Sequence, residues 1–398
     1  MTAFPSRSPA LSTEFRLLLL LARLELDDDQ AREAQSLCRA VEDWEGFRLI
    51  ATHRFILPLA YRHLRHLQPP SLPAEQLALM KQQVLSLYRH GLNVATSLGE
   101  IHQQLLVPLD IPYVTFKGPS LAARYYDEPA MRFCRDIDIL VPRERMAALL
   151  AHALAEGYRP LNPQDLADDP VSLMFVARFY DVISLFSPRG VIIEFHSQID
   201  KIGTVYDSRA LIDRAELIRV GNTDVAVLPT AELFVYVCWH HTRHFWSRLH
   251  WLVDIDAIQR HPGFDRQAVL ACAARHGLSA TVESCLKMAE VLSSPEFEPQ
   301  GYHDERVDEL LKLSLEAMQG DREFERRLVS KRSTLDFAFH WQTDRGHRLR
   351  WKLLGWLRIF RPKYDLFQEW PLSPRWHWLY GPLRLWRACR RRWHLSRY

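Results

Sequence analysis

The stretch that most limits what this chain can fold into is Tyr113–Pro142, which reads YVTFKGPSLAARYYDEPAMRFCRDIDILVP. Tyr113 to Lys117 is a β-branched and aromatic run with the composition of a buried strand. Gly118 and Pro119 break it. Pro119 suits the first turn of a helix, where its missing N–H is no loss, and the helix continues to Tyr126. After a Pro-containing turn a second strand begins near Asp136. In Asp-Ile-Asp-Ile-Leu-Val, positions 137, 139 and 141 share one face, so Asp136 and Asp138 share the other. Two carboxylates on one strand face repel each other in an apolar setting, and a hard divalent cation such as Mg²⁺ is their natural partner. The ordinary alternative is an exposed edge strand with two solvated acids. The glycine turn into a helix and the flanking apolar residues point inward instead.

A third acid fits the pair. Asp181–Phe186 and Val191–His196 read as two strands joined by Ser187-Pro188-Arg189-Gly190, a hairpin signal. Glu194 is a single carboxylate in the second strand, and burying it without a partner is costly. It either completes a triad beside Asp136 and Asp138 on a neighbouring strand, or pairs with an arginine such as Arg178.

Lys117-Gly118, Tyr126, Pro129, Arg132 and Asp136-x-Asp138-x-Leu140-Val141 together resemble the signature of an uncharacterised bacterial nucleotidyltransferase family within the DNA polymerase β-like superfamily. The resemblance extends from about residue 40 to about residue 295. Lys-Gly stands where the superfamily more often has Gly-Ser. The resemblance implies an α+β fold: a small mixed-sheet core flanked by helical regions at both ends. It also implies transfer of a nucleoside monophosphate from an NTP to a hydroxyl or phosphate acceptor by a two-metal mechanism, with Mg²⁺ (or Mn²⁺) on Asp136, Asp138 and Glu194. Lys117, Gly118, Ser120 and Arg132 would then bind the nucleotide, with Arg132 either on the phosphates or paired with a core acid. His240, His244 and Asp254 would contact nucleotide or acceptor. Relatives of this kind are thought to act in natural-product or surface-polysaccharide pathways. A silent nucleotide- or partner-binding module on the same scaffold is the competing reading, and the presence of all three acids speaks against it. A phosphotransferase is disfavoured, because the chain has no Gly-x-x-x-x-Gly-Lys-Ser/Thr loop.

The chain divides, on this reading, into a disordered segment 1–12, a helical region 13–108, a nucleotidyltransferase core 109–229, a helical region 230–330 that completes the cleft, and a basic, Trp-rich helical tail 331–398. Leu17–Ala22 is apolar but short, with arginine at both ends and Asp27-Asp28-Asp29 where a cleavage site would lie. It reads as the first helix of a domain, not a signal peptide. Further helices are expected over 29–44, 47–67, 74–106 and 143–156; His53-Arg54, inside the second of these, is either a helix-surface pair or, as the resemblance implies, near the site. A short strand is expected at 225–228. The six cysteines are scattered, with no Cys-x-x-Cys, and read as reduced thiols of a cytoplasmic protein. His240 and His244 lie four apart and share a helix face, which would suit a metal, but no third ligand is evident in the sequence.

The net charge of +3 conceals an asymmetry. From Arg345 to Tyr398 there are 14 Lys/Arg and two acids, or +12, leaving the rest of the chain at −9 (37 basic, 46 acidic). Residues 337–398 also hold eight of the twelve tryptophans, in runs such as Trp376-His377-Trp378 and Trp386–Trp393. Three readings of such a tail stay open: a peripheral contact with anionic lipid at the inner membrane face, nucleic-acid binding by stacking and phosphate contacts, or helices that cover the acidic body with Arg stems on Trp rings.

Overall fold

The computed structural model describes residues 11–200, 205–294, 304–320 and 344–395, with 323, 324, 327 and 337–342 between them. Most of the expected disordered start, residues 1–10, lies outside the described residues, as do the side chains of Arg391-Arg392-Trp393. The fold is α+β and is built on one seven-stranded mixed sheet.

The strands are β1 (Val114–Thr115), β2 (Asp136–Leu140), β3 (Arg159–Asn162), β4 (Val182–Phe186), β5 (Ile192–His196), β6 (Glu216–Val220) and β7 (Thr223–Val227). They lie in the order β3-β4-β5-β2-β1-β7-β6. β2 pairs parallel with β5 and antiparallel with β1; β1 pairs parallel with β7. The expected hairpin is β4–β5, closed by the turn in which Ser187 N–H donates to the Val191 carbonyl (2.8 Å). The alternation read along β2 holds. Ile137, Ile139 and Val141 point into one apolar core with Ile193 and Phe195 of β5. That core is closed by the helices Met146–Ala155 and Pro170–Phe179; Asp169 caps the latter by accepting from Val171 N (3.0 Å) and Ser172 N (2.9 Å).

A second, larger core is helical. It gathers the N-terminal helices with those from Thr230 onward, and takes Val114, Phe116 and Leu140 from the sheet. Leu17–Leu21 are fully enclosed in it, so the N-terminal apolar run is a core helix, Thr13–Leu20. The acids of β2 therefore face the seam where sheet and helical region meet.

Some expected boundaries shift, for identifiable reasons. The helix expected over 47–67 is two, Trp44–His53 and Leu57–Leu67, because Phe55 adopts φ +60° between them. Arg54 sits at that break, buried, and donates to the Ser247 carbonyl (2.8 Å). The edge strands β3 and β6 were not foreseen: Arg-Pro-Leu-Asn and Glu-Leu-Ile-Arg-Val are largely exposed and carry no strong apolar signal. No helix among the described residues is long and apolar enough to cross a membrane.

Part of the basic tail covers the sheet. Tyr364, Leu366, Phe367 and Tyr380 enter the sheet-side core, and Phe367 stacks on Phe175 with ring centroids 4.3 Å apart. Arg358 (3.6 Å) and Arg361 both pair with buried Asp181. For these residues the intramolecular reading is the observed one.

Candidate active site

The parallel pairing of β2 with β5 sets Asp138 beside Glu194, and Leu140 beside His196. Asp138 is 1% exposed and Glu194 about a third, so the pair runs from the interior to the cleft. Lys117, just after β1, places Nζ 3.0 Å from Asp138 Oδ1. His196 Nε2 lies 3.0 Å from the same oxygen and 3.5 Å from Glu194 Oε2. Asp138 Oδ2 is buried and has no hydrogen-bond partner. Ligand atoms of Asp138, Glu194 and His196 all fall within 4.8 Å of one another.

Burial alone would push the Asp138 carboxyl up, yet the Lys117 ammonium and the His196 hydrogen bond outweigh it and hold it well below the usual range. Asp136 moves the other way: burial and the adjacent Asp138 charge raise it, against the pull of Lys117 and Arg135. Burial opposes the charge on His196 too, but its bonds to Asp138 and Glu194 prevail and raise its proton affinity.

Asp136 is not part of the tight cluster. Its Oδ2 is held by Arg135 Nη2 at 2.9 Å. His196 takes the third place, and the sequence offered a signal for it: two residues past Glu194, strand alternation puts it on the same face.

Gly118 has φ +64° and ψ −136°, a conformation L side chains rarely adopt. A Cβ there would stand 2.7 Å from the Asp136 carbonyl oxygen, so glycine also permits the turn to press against β2. Ser120 is buried and donates its hydroxyl to the Lys117 carbonyl (3.0 Å), bracing the turn that carries Lys117. It does not line the cleft.

The cleft is a cavity of about 360 Å³ between this strand face and the helical region. Lys117, Gly118, Arg132, Arg135 and the three acids form one wall; Phe55, His240, His244, Arg248 and Trp251 form the other. Phe55 stacks on Phe133 at 4.9 Å, and the Arg248 guanidinium lies 5.3 Å from the Phe55 ring. The rings of His240 and His244 are 4.8 Å apart, and burial followed by Lys117 pushes His240 well below its ordinary value. Among the described residues these two histidines belong to no group of three metal-binding side chains.

Arg132 and Asp254 meet each other. Arg132 Nε donates to Asp254 Oδ1 (2.7 Å) and Nη2 to Oδ2 (2.9 Å), while Tyr126 Oη donates to Oδ1 (2.7 Å). Asp254, expected to contact nucleotide or acceptor, is fully buried and does not line the cleft. For Arg132 the observed partner is the core acid, although its edge still borders the cavity.

A family model described as an uncharacterised nucleotidyltransferase matches residues 40–293, more than half of the chain. The chain belongs to this family. Comparison with curated proteins finds no match. The matched region includes the whole sheet and every named cleft residue, and it stops before the basic tail. The Arg132–Asp254 clasp, 122 residues apart in sequence, and the Asp138 cluster both lie inside it.

Proposed function

We propose that this nucleotidyltransferase moves a nucleoside monophosphate from an NTP to a hydroxyl or phosphate acceptor bound in the Asp138 cleft. The observation that carries the reading is the buried, partnerless Oδ2 of Asp138, a residue paired with Glu194 and lining a cavity that Lys117, Arg132, Arg135 and Arg248 also line. The donor set suits Mg²⁺ or Mn²⁺: Asp138 and Glu194 supply hard oxygens, with Asp136 lining the same cavity. When bound, such a cation neutralises phosphate charge and makes the acceptor oxygen a better nucleophile. Lys117, kept charged by Asp138, presents its ammonium to the β- and γ-phosphates. Arg135 and Arg248 hold the rest of the triphosphate charge. Glu194 takes the proton of the attacking hydroxyl at Oε2, and His196 fixes the orientation of both carboxylates. The acceptor oxygen bonds to the α-phosphorus as its bond to the β-phosphate bridge breaks, and pyrophosphate leaves.

One observation favours the silent-module reading: Lys117 and His196 already neutralise Asp138 with no metal required. Incubation with α-labelled NTPs, Mg²⁺ and panels of sugar, alcohol and phosphate acceptors separates the two. Label transfer that EDTA abolishes and Asp138→Asn lacks is the expected result. Saturable Mg²⁺–NTP binding with no labelled product and no pyrophosphate release would assign the fold to a binding role.

A further inference from the structure

We propose that the outer face of the C-terminal tail is a docking surface for an anionic lipid bilayer, separate from the Asp138 cleft. Among the described residues fifteen large apolar side chains are exposed, and eight of them lie between Leu349 and Trp386. Leu349 (68% exposed), Leu353, Trp356 and Leu357 are spaced i, i+4, i+7, i+8 on the helix Arg345–Leu357, so they form one stripe. The same helix turns Trp351 inward, onto Phe339, with ring centroids 4.2 Å apart. Its apolar stripe is therefore additional to the face that packs. Exposed Arg345, Arg350 and Lys352 flank the stripe on the helical wheel.

The adjoining elements repeat the pattern. Trp376, Trp378 (65% exposed) and Trp386 stand out to solvent, and Trp386 borders an apolar hollow of about 550 Å³ floored by Leu372, Leu379 and Leu383. Arg375 and Arg390 lie against Trp376 and Trp386, at 5.8 Å and 5.4 Å from the ring centroids. The two acids of the segment, Asp365 and Glu369, both turn to Arg387 (3.2 Å and 3.3 Å), so little negative charge tempers the surface.

Charge and shape choose the occupant. A second copy would bring the same +12 segment against itself, which repels. A nucleic acid could use the cations and the indole rings, but it offers nothing to Leu349, Leu353, Leu357 and Leu385. An anionic bilayer satisfies all three features: headgroups for the cations, the interfacial zone for tryptophan, and acyl chains for the leucines. Each cation brought to such a surface strengthens binding roughly fivefold at low salt. Tryptophan and leucine insertion then supplies a salt-insensitive remainder.

The full-length protein is tested by flotation with vesicles of phosphatidylcholine alone and with phosphatidylglycerol added, at low and high salt. Binding should require phosphatidylglycerol, fall at least tenfold at high salt, and shift tryptophan emission to shorter wavelength. The triple variant Leu349→Ser, Leu353→Ser, Trp378→Ser keeps every charge, and its unchanged melting temperature would show that it folds. It should bind the same vesicles at least tenfold more weakly. Three results overturn the proposal: no flotation with phosphatidylglycerol at low salt, equal flotation of the folded variant and the parent, or preference for a single-stranded oligonucleotide over vesicles in competition.

Discussion

Asp138 and Asp254 are both buried aspartates, and both touch a basic side chain at hydrogen-bond distance. Both oxygens of Asp254 are occupied, by a bidentate guanidinium and a tyrosine hydroxyl. Around Asp138 both contacts, Lys117 and His196, crowd onto Oδ1 and leave Oδ2 buried with nothing to accept from. A complete arrangement holds elements together, here linking the turn after the Pro119–Tyr125 helix to the helix His250–Arg260. An incomplete one beside an open cavity costs desolvation that a ligand can offset. The difference separates a clasp from a site, although the two acids look alike in the sequence.

The sharpest way to break this comparison is Asp138→Asn. It removes one negative charge from the cluster proposed to bind the NTP, and transfer should fall on the order of 10⁴-fold, about 5 kcal/mol on the activation barrier. Because Lys117 loses its counter-charge, some loss of stability should accompany it, but the folded baseline in circular dichroism should persist. Wild-type turnover in a folded Asp138→Asn protein would sink the site.

Asp254→Ala should show the opposite balance. It strands a buried guanidinium and a buried phenol, and removing one partner of such a pair costs about 3–5 kcal/mol. Urea unfolding measures this directly. A stability change below about 1 kcal/mol combined with lost NTP binding would return Asp254 to the nucleotide side.

Next in size is Glu194→Gln. The carboxylate is partly exposed and lies on the cleft side of Asp138, so its loss should slow turnover roughly 100-fold, about 3 kcal/mol. Mg²⁺–NTP affinity should change much less. Calorimetry that finds nucleotide binding lost with the fold retained would contradict the acceptor-side role.

How far the sequence reached follows from the range of the forces involved. The β2 and β5 faces were legible because alternation is a local property: each residue's side is set by its neighbour. Asp138 and Glu194 could thus be placed together from two short strands. The destination of Arg132 could not, because Asp254 lies 122 residues away and nothing local distinguishes a clasp from a phosphate ligand. Gly118 was read correctly as a turn, but its close approach to the Asp136 carbonyl is a tertiary fact. Alternation also places His196 on that face, although His240 and His244 are more conspicuous in the sequence. In the tail, composition revealed the charge, whereas the division into inward Tyr364, Phe367 and Tyr380 and outward Trp356 and Trp378 depends on which surface they meet.

The smallest expected effect concerns protons, and it tests whether the two aspartates really differ in the charge left to give. His196, 3.0 Å from Asp138, has its proton affinity raised despite burial. His241, 3.9 Å from Asp254, is pushed well below its ordinary value, first by burial and then by cationic neighbours including Arg132. Asp254 has spent its charge on Arg132, so the histidine beside it feels mainly desolvation. His63, enclosed in the helical core with Nε2 2.8 Å from the Arg23 carbonyl, is likewise pushed down to about 4 by burial. Unfolded, these rings protonate near about 6.5. Between that value and the depressed folded one, the unfolded chain binds more protons, so stability falls as pH drops below 6.5. His196 acts with the opposite sign: its stabilisation is full below 6.5 and is lost as pH rises through its raised folded value. With the depressed histidines in the majority, the net trend is loss on acidification, and His63 alone accounts for about 2 kcal/mol between pH 7 and pH 5. Urea midpoints at the two pH values should show the fall, and His196→Gln should steepen it by removing the opposing contribution. A midpoint that rises on acidification, or a His196→Gln slope identical to the parent's, would mean that Asp138 holds no more usable charge than Asp254.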